Sequence, residues 1–105
     1  MTDIRLALTT AGSQEEASKI GQALVERRLA ACVNVVPQVR SIYRWEGKVE
    51  ESQEWLLMIK TTVAGFAGVQ EAIKELHSYD LPECICVPVE QGGSEYLDWI
   101  RKSVG

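Results

Sequence analysis

The stretch from Arg40 to Lys60 leaves this chain few ways to fold. It runs out through Ser41-Ile42-Tyr43-Arg44-Trp45 to Glu46-Gly47 and returns through Lys48 to Lys60. Two β-prone arms around a dipeptide ending in glycine predict one long β-hairpin, because glycine supplies the positive φ that tight hairpin turns require. A turn centred on Glu46-Gly47 sets Trp45 opposite Lys48, Tyr43 opposite Glu50 and Ser41 opposite Ser52, with Ile42 and Arg44 on the other face. The return arm exceeds the usual strand length of about five or six residues, so the hairpin projects from its domain or curls over a neighbour. An isolated ribbon carrying Tyr43, Trp45 and Trp55 is marginal in water, and a second copy of the chain is the expected cover.

Around the hairpin the signals are regular. Asp3 to Thr10 alternates as a half-buried strand. Ser13-Gln14-Glu15-Glu16 reads as a capping box, with the Glu16 carboxylate reaching back to the serine amide. Ala17, Ile20, Gly21, Leu24 and Leu29 then follow helical spacing to an expected end near Leu29. Ala30 to Val36 opens a second strand, and Pro37, which cannot donate to a sheet ladder, marks a bulge or edge before the hairpin arm resumes at Val39. Thr61 or Thr62 caps a second helix carrying Phe66, Val69, Ile73 and Leu76, which ends at His77 to Pro82. Glu83 to Val89 alternates as a fourth strand. Gly92-Gly93-Ser94 opens a short C-terminal helix with Tyr96, Leu97 and Ile100 on its apolar side. The order βαββαβ plus a helix predicts an α+β, ferredoxin-like domain over residues 1–105, both crossover helices on one sheet face and the second and fourth strands at the edges.

Composition narrows the partners. A net charge of −4 argues against a nucleic-acid backbone, which needs clustered lysine and arginine. Met1-Thr2-Asp3 leads straight into a strand, so no secretory leader is expected. Apolar runs stop at five residues, far short of the ~20 of a membrane span. Three cysteines without paired spacing point to a reduced, cytoplasmic compartment.

Candidate chemistry is sparse. His77, the single histidine, stands beside Tyr79 and Asp80 as a metal ligand, a proton carrier or a complement to the helix C-terminus. Cys84 and Cys86 lack the spacing of a zinc or redox pair, and Cys32 has no nearby cation, so all three read as structural thiols. Glu46, Glu50, Glu51 and Glu54 read as a solvated face of the ribbon. There is no phosphate loop, nucleophile elbow or paired-histidine motif, so no enzyme is expected.

Arg28-Leu29-Ala30-Ala31-Cys32-Val33-Asn34, Ser41-Ile42-Tyr43-x-Trp45-x-Gly47-Lys48, Met58-Ile59-Lys60-Thr61, His77-Ser78-Tyr79-Asp80-x-Pro82-Glu83, Pro88-Val89 and Tyr96-Leu97-x-Trp99 run through nearly the whole chain. Together they resemble the CutA divalent-cation-tolerance family. The resemblance implies a PII-like homotrimer whose hairpins wrap neighbouring subunits, cytoplasmic tolerance of copper and other divalent cations, and no catalysis. Of the family's copper-ligand positions, which correspond here to Thr9, Leu76 and His77, only His77 keeps a ligand, so a divalent cation is expected to be weakly held. The expected ligand site is an intersubunit cleft lined by Tyr43, Trp45, Lys60, His77, Tyr79 and Glu83, where Lys60 would repel cations unless it pairs with Glu83. Two other readings stay open: a sensor of an anionic small molecule using Lys60 with Arg40 or Arg44, and a structural assembly hub like the animal members implicated in anchoring other proteins.

Overall fold

The computed structural model describes residues 2–105. Its elements are β1 (Ile4–Ala11), α1 (Gln14–Glu26), β2 (Cys32–Trp45), β3 (Lys48–Thr62), α2 (Val63–Leu76), β4 (Ile85–Pro88) and α3 (Ser94–Ser103). The strands form one antiparallel sheet in the order β2-β3-β1-β4. This is the expected split arrangement, in which β1–α1–β2 crosses over the place of β3 and β3–α2–β4 crosses over β1. The hairpin stretches the molecule to 44 × 25 × 22 Å.

The hairpin register is the one its turn dictates: Trp45 pairs with Lys48, Tyr43 with Glu50 and Ser41 with Ser52. Glu46 and Gly47 both have positive φ, 49° and 79°, the geometry of a turn whose twist matches the flanking strands. Pro37 does mark a bulge. Pairing shifts between Val36 and Val39, so Pro37 and Gln38 together oppose the single residue Trp55, and Gln38 takes a φ of 59°. Beyond the bulge every side chain of β2 has changed sides relative to an unbroken ladder. Tyr43 and Trp45 therefore share a face with Glu54 instead of opposing it.

Two apolar layers flank the sheet. On one face, Ala17, Ile20 and Leu24 of α1 and Val69, Ala72 and Ile73 of α2 close over Ala7, Ala11, Leu57 and Ile59. Each fully buried Leu or Ile contributes about 1.5–3 kcal/mol relative to exposure. Ile4, at odd spacing from Ala7, points to the other face, where Leu97 and Ile100 of α3 cover it. Tyr96, expected on that apolar side, is exposed and lies against Trp99. The rest of that face carries Leu6, Leu8, Leu56 and Met58, flanked by the exposed Ile85 and Val87, and no helix covers it.

Some boundaries differ from the sequence reading. α1 stops at Glu26, short of Leu29, because Arg28 adopts a left-handed φ of 59°. The Leu29 amide then donates to Leu24 O and the Arg28 amide to Val25 O, which satisfies the last carbonyls and returns Leu29 to the core. Thr62 caps α2 through a 3.0 Å bond from the Gly65 amide. β4 begins at Ile85 instead of Glu83, which leaves the ladder for a different task described below.

One core group is unmatched. Thr9 is fully buried and its Oγ1 has no hydrogen-bond partner among the described residues. Thr9→Val keeps the shape and removes the stranded hydroxyl, so it should raise stability by about 1 kcal/mol. Urea unfolding checks this: a higher midpoint at unchanged slope is expected, and a loss of stability would mean that the hydroxyl is satisfied after all.

Candidate functional site

Where the hairpin leaves the body of the domain, it forms one wall of a groove of about 740 Å³. Ser41, Ile42, Tyr43 and Trp45 come from β2, Glu54 from β3, and Ser78, Tyr79, Asp80, Leu81 and Glu83 from the segment after α2. Three carboxylates and three aromatic rings face this space, and no lysine or arginine lines it.

The segment after α2 is fixed by a hydrogen-bond network around His77. Its side chain has 0% exposure. Nε2 lies 2.6 Å from Thr10 O and, facing a carbonyl, must carry the proton. Nδ1 meets the Tyr79 amide at 3.1 Å and Glu16 Oε1 at 3.1 Å. Glu16 Oε1 also accepts from the Ser78 amide and hydroxyl, both at 3.1 Å. The capping box is thus half-formed: Ser13 accepts the Glu16 amide, but the Glu16 carboxylate crosses to the end of α2. Burial alone would raise the Glu16 carboxyl, yet the Ser78 donors, helped by His77, outweigh it and hold it below its ordinary 4.5.

Tyr79 carries this order into the groove. Its hydroxyl donates to Glu54 Oε2 at 2.8 Å, and it passes so close to Gly12 that a Cβ there would stand 2.9 Å from Tyr79 Oη. Burial, followed by the bond to Glu54, pushes the Tyr79 hydroxyl well above its ordinary range. Glu54 is not the solvated ribbon residue expected from its charge run: it is 7% exposed. Glu83 lies where β4 would otherwise begin, and burial, then the charge of Glu54, raises its carboxyl above 4.5.

Of the residues expected in a cleft, Tyr43, Trp45, Tyr79 and Glu83 come together within one protomer. Lys60 does not join them. It lies six residues along β3 from Glu54, about 20 Å away at strand rise, and its Nζ donates to Tyr96 Oη at 3.2 Å beneath α3. A Lys60–Glu83 pair is therefore not made within the chain. Arg40 is likewise engaged elsewhere, 3.7 Å from Glu51. Both His77 nitrogens are in use, so a metal could bind this ring only by displacing a bond. Thr9 is buried and Leu76 packs against the core. Among the described residues no group of three or more His, Cys, Asp or Glu side chains is placed to hold a metal ion. The three cysteines are free and partly buried; burial, then Cys86 and Glu83, pushes the Cys84 thiol up to about 11. A thiol so raised stays protonated and is a poor nucleophile.

Residue-level reading missed Glu16 and Glu54. Glu16 satisfied a local pattern that masked its long-range use, and Glu54 was assigned by the company it keeps in sequence.

Fold and groove together define a ferredoxin-like α+β protein whose extended hairpin walls an acidic, aromatic cleft. The family model described as CutA1 divalent ion tolerance protein matches residues 5–103. The divalent-cation tolerance protein CutA of Thermus thermophilus is 51% identical over 100 residues, covering 95% of this chain and 97% of that one. Human protein CutA is 43% identical over 99 residues, covering 94% of this chain; the chain spans only 55% of that relative's length. Among solved structures, the Thermus protein superposes with a TM-score of 0.95 at 50% identity, covering 97% and 99% of the two chains. A periplasmic divalent cation tolerance protein CutA from Archaeoglobus fulgidus gives 0.94 at 41% identity, with 97% and 99% covered. The chain belongs to the CutA1 divalent-ion-tolerance family.

The two shifted carboxyls predict opposite pH effects. Glu16 titrates below 4.5 in the folded chain, so its contribution is complete above 4.5 and is lost as pH falls through the lower folded value. Glu83 titrates above 4.5, so the folded state takes up its proton first, and its ionised form costs stability at neutral pH. Urea midpoints at pH 7 should fall for Glu16→Gln and rise for Glu83→Gln. Both differences should shrink once the pH is well below 4.5; a pH-independent difference would assign the effect to packing.

Proposed function

We propose that this chain is a non-enzymatic, homotrimeric protein of divalent-cation tolerance whose clefts hold a divalent cation, copper included, only weakly. The observation that carries the reading is the groove itself: three carboxylates line it, no cationic side chain does, and no multidentate ligand set is preformed. Carboxylates alone attract cations without the geometry that gives tight copper binding. The names of the relatives describe ion tolerance and no reaction. An anion-sensing role is less favoured, because the cation it needs, Lys60, is bound to Tyr96 outside the groove. The buried His77 serves first to hold the Ser78–Glu83 segment in place, and it becomes a ligand only if that network opens.

Assembly is supported by the uncovered sheet face. Leu6, Leu8, Leu56 and Met58 lie under no helix, and Ile85 beside them is 55% exposed. A monomer gains nothing from such a surface, whereas packing against copies removes it from water. The number three comes from the family resemblance. The partners are further copies of the chain and cations or a small ligand; an acidic net charge of −4 disfavours nucleic acid. No helix among the described residues is long and apolar enough to cross a membrane, and no membrane partner is proposed. Free thiols support a reduced, cytoplasmic setting, although relatives described as chloroplastic and periplasmic occupy other compartments.

Light scattering should give three times the 11.7 kDa chain mass, with more than about 2,000 Å² buried between subunits in a crystal. Ile85→Glu should dissociate the assembly while leaving the chain folded, since Ile85 is solvated in the protomer; an intact trimer would remove this face from the interface. Copper calorimetry should give affinity no tighter than micromolar, weakened about threefold or more by Glu83→Gln. Unchanged affinity in His77→Ala would assign the imidazole to structure alone. Tight copper binding abolished by that substitution would reverse the assignment.

A further inference from the structure

We propose that Cys84 and Cys86 form a two-sulfur site for a soft cation that takes its ligands in line, such as mercury(II) or silver(I). The site is separate from the groove and its oxygen donors, so neither reading needs the other.

Cys86 is the second residue of β4 and pairs with Ala7, and Cys84 stands just before the strand. Exposure alternates along this segment: Ile85 and Val87 are exposed, whereas both thiols are half-buried and pack against the core beneath α1 and α2. They lie on the opposite side of the sheet from the face assigned above to assembly.

Spacing decides what such a pair can do. Residues two apart on a strand are separated by about 6.6–6.8 Å. Their parallel side chains do not converge to the Cβ separation of about 3.5–4.5 Å that a disulfide requires, and both thiols are free. Two metal–sulfur bonds of about 2.3 Å in line span about 4.6 Å, which the pair reaches if each sulfur leans inward by about 1 Å. Zinc wants four donors, and among the described residues no third His, Cys, Asp or Glu completes such a set. Glu83 precedes Cys84 in the chain but lines the groove. Thiolates select soft ions, and two of them satisfy an ion of linear preference.

Burial, then Cys86 and Glu83, keeps the free Cys84 thiol protonated, so the pair meets its ion as two S–H groups. Binding breaks both S–H bonds, forms two metal–sulfur bonds and releases two protons to solvent, with no change of oxidation state. With mercury(II) the product is neutral, which suits a half-buried apolar setting; with silver(I) it keeps one negative charge. Thr9 is the next side chain of β1 on this face after Ala7, and its buried hydroxyl has no partner among the described residues. A metal-bound thiolate is the kind of strong acceptor that this hydroxyl lacks.

Native mass spectrometry of the assembled protein carrying Cys32→Ser, in which only the pair remains, tests the proposal. The protein is loaded with mercury(II) or silver(I) in chloride-free buffer and challenged with excess glutathione. A lone thiol surrenders its ion to excess monothiol, whereas two thiols on one strand hold it at high effective concentration. One mercury per chain should be retained, and silver less firmly; the wild type should give the same count once glutathione strips Cys32. Cys84→Ser and Cys86→Ser should each lower retention about a hundredfold or more. Glu83→Gln, which weakens the groove, should leave retention unchanged, and this separates the two readings. Mercury retained alone assigns the pair to a divalent ion, and silver retained alone to a monovalent one. Loss of both ions to glutathione, or retention that survives either cysteine substitution, overturns the proposal. Circular dichroism checks each variant, and Cys84→Val or Cys86→Val, which keeps an apolar side chain, replaces a serine variant that does not fold.

Discussion

Two residues in β2 decide where the groove faces. Pro37 and Gln38 oppose the single residue Trp55, and from Val39 onward the strand presents its alternate side. Without that insertion Ile42 and Arg44, not Tyr43 and Trp45, would share the face of Glu54. The wall would then bring a guanidinium beside the carboxylates and turn the rings away. Proline suits the position because it has no amide to leave unpaired, and Gln38 accepts the left-handed conformation that closes the bulge. A backbone irregularity thus fixes the charge and shape of a site that lies several residues further along the strand.

The opposite wall depends on long-range bonds. After α2 the chain has no regular structure until Ile85, and such a segment would ordinarily be mobile. Here Thr10 at the end of β1, Glu16 in the first turn of α1 and Glu54 of β3 each bind it, through His77, Ser78 and Tyr79 respectively. Every partner comes from a rigid element, so the segment inherits their positions. His77 sits at the junction, its side chain buried and both ring nitrogens engaged, so it serves as a structural group of this segment.

Much of this architecture was legible because it is local or periodic. Glu46-Gly47 set the hairpin register, Pro37 announced the bulge, and alternating or helical spacing placed every element. The strand order followed from connectivity. What escaped notice were interactions whose partners are distant in sequence. Glu16 fitted a capping box perfectly well by spacing, but the Ser78 donors compete for the same carboxylate and win. Glu54 stood in a run of acidic residues, but it is buried, and its partner Tyr79 comes from a segment distant in sequence. Lys60 was placed in an intersubunit cleft through the resemblance; within one protomer the β3 register sets it under α3, beside Tyr96.

Burial in the groove also shifts the titration of one of its carboxyls. Glu54 and Glu83 face one cavity; burial raises the Glu83 carboxyl, and the charge of Glu54 raises it further. A divalent cation held there, as proposed, would offset both effects, drawing Glu83 back toward its ionised form and releasing protons from the fraction still protonated. By reciprocity, acidification opposes binding. The effect is strongest near the raised titration range of Glu83 and fades at higher pH, where the carboxyl is ionised with or without a ligand. Tyr79 takes no part in this exchange, because its hydroxyl stays protonated across the whole range and continues to donate to Glu54. The hydroxyl thus keeps the Glu54 side chain in place against the Tyr79 segment while Glu83 titrates.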